Sequence, residues 1–229
     1  MRLHPCENTR YGRNRRERGF SILELVTVIA IALIVAAVAI PGFFSMRRYL
    51  RIAGDTRDIN GVTAQAKMRA AADFTHARLR ADLANNAFQL EVWDKTGGAG
   101  GAGCWKSDGA AALNPCTNAG TVLRNSLSQG VTFGFSGVGP GAPNPQAAIA
   151  QAPACTDGVA GAAGNNNYPN SACIEFNSRG VPVAPNGAPT ATDALYVTDG
   201  VSVYGATVII SGLIQTWSTP VANQAWQAR

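Results

Sequence analysis

A single carboxylate, Glu24, stands in a run of 25 residues, 20–44, that holds no other ionisable side chain. Burying a charge in so apolar a segment costs a few kcal/mol in a bilayer, so Glu24 needs a cationic partner or a path to the interface. At about 20 residues per crossing, the run is long enough to span. Gly19 lies directly before it. A cut between Gly19 and Phe20 would discard a basic leader and create an α-amino cation in the same apolar layer as Glu24. This order is the reverse of a secretory signal, whose small residues follow the apolar core, so that the core is lost.

The order Gly19, Phe20, Glu24 followed by an apolar helix resembles the class III signal of type IV pilins and type II secretion pseudopilins. In that family the glycine precedes a phenylalanine that becomes N-methylated, and glutamate is the fifth mature residue. Pro41 falls where many members carry a helix-kinking proline. The resemblance implies processing at Gly19 and Phe20 by a prepilin peptidase/N-methyltransferase. It also implies subunit assembly through Phe20, Glu24 and Pro41, the glutamate of one subunit meeting the amine of its neighbour. Residence would be the bacterial inner membrane, single-pass, with the following domain in the periplasm, and later a pilus or pseudopilus.

Charge agrees with that partition. Arg2, Arg10, Arg13, Arg15, Arg16 and Arg18 against Glu7 and Glu17 give the leader +4 of the chain's net +5, leaving 13 basic and 12 acidic side chains beyond it. The flank richer in arginine, here the leader, stays cytoplasmic. The sequence pI of about 9.2 is therefore no nucleic-acid footprint, and strong nucleic-acid binding is not expected.

Cys6 is lost with the leader, and Cys104, Cys116, Cys155 and Cys173 remain. An even number in a translocated domain favours disulfides, although four cysteines permit three connectivities. Pairing Cys104 with Cys116 and Cys155 with Cys173 is preferred because each bridge closes a Gly/Ala/Asn-rich loop. None sits in a C-x-x-C pair and His76 is the only histidine past the leader, which argues against zinc. No metal and no cofactor is expected.

These residues require elements to hold them. Residues 1–19 read as leader and 20–44 as the transmembrane and assembly helix. Residues 45–72 read as its amphipathic continuation, with Met46, Tyr49, Ile52, Ile59, Val62, Ala66 and Ala70 on one face. Gly54 and Gly61 invite local bending or melting there. From 73 to 229 the period becomes two, which predicts an antiparallel β-domain and hence an α+β fold in which a long helix packs on sheet. Ala77, Leu79 and Ala81 alternate with Arg78, Arg80 and Asp82. Phe88, Leu90 and Val92 alternate with Gln89, Glu91 and Trp93, and residues 83–86 connect the two as a hairpin. Further strands are expected at 121–124, 131–135, 172–176, 194–198 and 201–217, the last broken at Ser211-Gly212. Residues 96–120 and 137–170 are too poor in large apolar groups to build a core and read as surface loops, decorative or contact-making.

A second resemblance lies in this domain. Phe176-Asn177-Ser178-Arg179-Gly180-Val181-Pro182 is similar to the F-x-S-R-G-x-P strand–turn–strand of GspH/FimT-type minor pilins and pseudopilins, which set a long helix against two sheets. Some of those proteins take up DNA through arginines in a final segment. The corresponding residues 211–217 here contain no basic side chain.

Enzymatic patterns are missing: the glycines of 97–103 lack a following Lys-Ser/Thr. His76 reads as a solvated strand-end side chain, and Asp55 and Asp58 as part of a solvated charged face. The expected function is a non-enzymatic structural or assembly subunit, a minor pilin or pseudopilin of a type IV pilus or type II secretion pseudopilus. The alternatives are a tip-located binding module for DNA uptake or adhesion, and a major pilin.

Overall fold

The computed structural model describes residues 19–108, 125–135, 137–139, 141–222 and 224–229. The chain divides into two compact units, Met1–Ser45 and Met46–Arg229. One helix, α1, Ile22–Ala72, crosses the division, and antiparallel strands follow it.

In the first unit, the described side chains from 20 to 44 are exposed, apart from half-buried Ala36. Its most apolar 18-residue window has a mean hydropathy of 2.8 and is not buried at all, so it is long and apolar enough to cross a membrane.

In the second unit, α1 supplies Ile52, Ile59, Val62, Ala66 and Ala70 to the core at helical spacing. Met46 and Tyr49, expected on the same face, are exposed; packing begins a turn later, at Ile52. Buried Thr56 and Thr63 donate to the carbonyls of Ile52 and Ile59, which satisfies their hydroxyls within the helix. The helix runs unbroken through Gly54 and Gly61, because its neighbours' packing outweighs the roughly 1 kcal/mol that each glycine costs.

Strands β1 (Ala77–Asp82) and β2 (Ala87–Asp94) form the expected hairpin, with Asn86 at φ 49° in its turn. Next come β3 (Cys104–Ser107), β4 (Asn125–Ser126), β5 (Thr132–Phe133), β6 (Ser171–Phe176) and β7 (Pro182–Val183). The chain closes with β8 (Asp193–Thr198), β9 (Ser202–Val208), β10 (Ile214–Pro220) and β11 (Gln227–Ala228). One sheet has the order β3-β2-β1-β6-β7, with β4 also pairing β2; the other has the order β11-β10-β9-β8-β5. All pairings are antiparallel. Leu79, Leu90 and Ile174 of the first sheet meet Leu195, Val197, Ala206 and Val208 of the second, together with the helix, in a single core.

Two expectations need correction. Residues 96–120 are not loop throughout, since β3 forms the edge of the first sheet; Trp105 stacks edge-on against Trp93 at 5.3 Å and pins it there. Nor is 137–170, read as a surface loop, without packed side chains. Its first part sets Val138 and Ile149 beside Phe135, Val221 and Trp226 over Ala194, Tyr196 and Val203, the outward face of the second sheet. Its second part covers the outward face of the first. A few large side chains suffice because the strands provide the other half of each contact. The strand expected at 121–124 lies outside the described residues.

Candidate functional site

Gly19, Phe20 and Ser21 precede α1 without helical structure, and Glu24 lies in its first turn. Ser21 caps this end: its Oγ accepts from Leu23 N at 3.3 Å, and its carbonyl accepts from Leu25 N at 3.1 Å. Ser21 and Glu24 have the S-x-x-E spacing of a capping box, a signal present in the sequence. A carboxylate here is also favoured by the helix dipole. Glu24 therefore has a local reason to exist beside any role between subunits. Among the described residues, an added Cβ at Gly19 would meet nothing within 4 Å, so their packing does not demand glycine there. Pro41 lies inside α1, whose helical assignment continues past it.

The outward face of the first sheet holds a charged cluster made by the polar half of the strand alternation. Cross-strand register puts Arg78 opposite both Glu91 and Glu175, and Arg80 opposite Gln89 and Cys173. Arg78 is fully buried; its Nε donates to Glu91 Oε2 at 2.7 Å and its Nη1 to Thr156 O at 2.7 Å. Its guanidinium lies 3.9 Å from the Trp105 ring centroid. Gln89 Nε2 and Arg80 Nη1 donate to the other Glu91 oxygen at 2.7 and 3.2 Å. Burial pushes the Glu91 carboxyl up, but attraction to Arg78 and Arg80 outweighs it and holds the group below the usual carboxylate range.

What makes this face an interior is the strap of residues 151–170. Cys155 and Cys173 are joined in a disulfide with Cα atoms 4.9 Å apart, tying the strap to β6. Trp105 Nε1 donates to Gly158 O at 3.0 Å, Ala160 N donates to Glu175 Oε1 at 2.9 Å, and Arg80 stacks on Tyr168 at 4.6 Å. Gln151 clamps the strap to β8, donating to Tyr196 O and accepting from Tyr196 N, both at 2.9 Å.

His76, expected to be solvated, instead places Nδ1 2.7 Å from Glu175 Oε1, because its backbone position beside Trp93 aims it across the sheet. Asp55 is also not part of a wet face. It is buried, and accepts from Ser128 N at 3.0 Å and Ser128 Oγ at 2.8 Å; Asp58 is exposed. Cys104 lies in β3 and is disulfide-bonded, while Cys116 falls outside the described residues. Among the described residues, no cluster of three or more metal-ligating side chains exists. The cross-strand pair Arg78 and Glu91 was legible once the hairpin register was set; the strap over it was not.

The two segments noted for their sequence meet at one helix residue. After β6, Asn177 Oδ1 accepts from Arg179 N and Val181 N at 2.9 and 3.2 Å, and Gly180, at φ 71°, lies against Lys67. Lys67 Nζ donates to the carbonyls of Ser211 and Gly212, each at 3.1 Å. The β6–β7 and β9–β10 turns thus dock on one lysine, and the neutral 211–217 segment begins as a turn anchored to the helix.

Residues 14–40 match the family of the prokaryotic N-terminal methylation motif. No curated protein and no solved structure shows significant similarity to the chain. The motif, together with the apolar helix it opens, supports a type IV pilin- or pseudopilin-like protein and fits anchoring in the inner membrane. Such a signal implies processing by a prepilin peptidase and assembly with other pilins, in a family that is structural rather than enzymatic.

Proposed function

We propose that the protein is a minor pilin or pseudopilin of the GspH/FimT type, serving as an assembly subunit of a type IV pilus or a type II secretion pseudopilus. The observation that carries this reading is the strand–turn–strand of residues 176–182 docked on the helix, within a domain of one helix on two antiparallel sheets. Processing removes residues 1–19, and methylation falls on Phe20. The glycine requirement at 19 then comes from the peptidase, which must approach the backbone closely, since none of the described residues crowds the position.

Glu24 of an incoming subunit pairs with the Phe20 amine of its neighbour, removing two uncompensated charges from the membrane and fixing axial register. Until that pairing forms, the dipole of its own helix stabilises the carboxylate. The test is mass spectrometry of the mature N-terminus, combined with quantification in sheared fibres. A methylated Phe20 terminus with sub-stoichiometric incorporation supports the minor-subunit reading; an intact leader overturns it, and stoichiometric abundance makes the chain a major pilin.

A further inference from the structure

Among the described residues, the helix just beyond the apolar run carries an arginine group that the assembly reading does not use. Phe44 closes the run, Arg47 and Arg48 follow within about one helical turn, and Arg51 lies one turn further. Between 45 and 51 there are three arginines and no carboxylate. Arg48 and Arg51 line a surface hollow of about 260 Å³ completed by Gln129, Gly130, Val131 and Asp199.

The hollow is built rather than accidental. Arg51 Nη1 donates to Gln129 O at 2.8 Å, which fixes the guanidinium against the 128–131 turn, and that turn is in turn held by the Asp55 carboxylate. Asp199 is the one acid lining the hollow. Its Oδ1 is committed to Val201 N and Ser202 N at 2.9 and 2.8 Å, and its Oδ2 stands 4.0 Å from Arg48 Nε. One carboxylate thus positions Arg48 without neutralising the pair, and the Arg48 side chain remains 57% exposed. Tyr49, between Arg48 and Arg51 in the chain, is exposed, and tyrosine beside arginine is a signature of the membrane–water boundary.

We infer that Arg48 and Arg51, with Arg47 beside them, bind the phosphate of an anionic phospholipid headgroup while the subunit resides in the membrane. The inference rests on the reading of residues 20–44 as the membrane span. A lipid is favoured over a free anion because the hollow follows the apolar run by a turn or two of chain. A headgroup there is delivered at high local concentration, and each arginine near a charged surface contributes about five-fold in affinity.

The experiment uses the full chain in a non-ionic detergent, titrated with phosphatidylglycerol, phosphatidylcholine or inorganic phosphate and read by native mass spectrometry. Phosphatidylglycerol should be retained in preference to phosphatidylcholine. The R48Q/R51Q variant should lose about 25-fold in that affinity, and R48K/R51K should retain most of it. An unchanged melting temperature and an intact Cys155–Cys173 bridge establish that the glutamine variant is folded. Equal retention of the two lipids, or retention unaffected by R48Q/R51Q, overturns the inference. Displacement of lipid by millimolar inorganic phosphate also overturns it, in favour of a free-anion site. Membrane fractionation of the same chain keeps the premises apart: failure to sediment with membranes sinks the span itself, whereas sedimentation without lipid preference sinks only the headgroup site.

Discussion

Arg78 Nη2 stands 2.6 Å from Glu91 Oε2, and each side chain is only 1% exposed. Removing one partner of such a pair strands a charge away from water, at a cost of about 3–5 kcal/mol. Arg78→Met and Glu91→Met should each lower stability by that order in urea unfolding of the second unit. The double variant should be less damaged than the sum, because it leaves neither charge behind. Glu91 titrates below its ordinary value in the folded state, so its contribution is present above about pH 4.5 and is lost as pH falls through the folded pKa.

Asp193 works in the opposite direction. Burial pushes its carboxyl up to about 7; a hydrogen bond from Thr190 opposes the shift and nearby Glu175 adds to it. The folded state therefore keeps a proton between about pH 4 and 7 that the unfolded chain releases. Stability from this group is complete below the unfolded pKa and is lost as pH rises through about 7, on the order of 4 kcal/mol at most. Asp193→Asn should flatten the melting temperature between pH 5 and 8 and raise it at pH 8. An unchanged slope would refute the assignment.

The strap depends on its bridge. Cys155 and Cys173 are 18 residues apart, and a loop of that size is worth about 3 kcal/mol in the chain-entropy account. Replacing both with serine should lower stability by about 2–4 kcal/mol. Proteolysis within 151–170 should accelerate before global unfolding, and Trp105 fluorescence should shift as Gly158 lets go of its indole.

Glycine positions divide by environment. Gly61 is exposed in the interior of α1 and an added Cβ meets nothing, so Gly61→Ala should stabilise by about 0.5–1 kcal/mol. Gly103 has φ +84°, and its Cβ would clash with the Trp93 ring; Gly103→Ala should loosen β3 and destabilise. Thermal melts of the two variants should move in opposite directions.

Glu24→Ala removes a charge from an apolar helix, so membrane insertion should be preserved or improved while incorporation into fibres falls. Glu24→Gln keeps the shape but not the charge. If it assembles as wild type, the Phe20 amine has no need of a counter-ion.

The N-terminal segment of this protein is legible in one dimension. A 25-residue apolar run, a glycine before it and a glutamate within it are one-dimensional facts, and a membrane helix needs no distant partner to be recognised. The β1–β2 hairpin was equally legible, since period-two alternation and a four-residue connector fix the register of Arg78 against Glu91. Which way that polar face looks was settled by long-range contacts. Alternation says that Arg78 and Leu79 point to opposite faces; it cannot say that a glycine- and asparagine-rich segment some 75 residues later returns to cover the charged one. Coverage is a long-range contact, made through backbone carbonyls such as those of Thr156 and Gly158, which every residue possesses and no composition reveals. For the same reason His76 and Asp55 read as solvated, and were placed otherwise by Glu175 and Ser128, residues far from them in the chain.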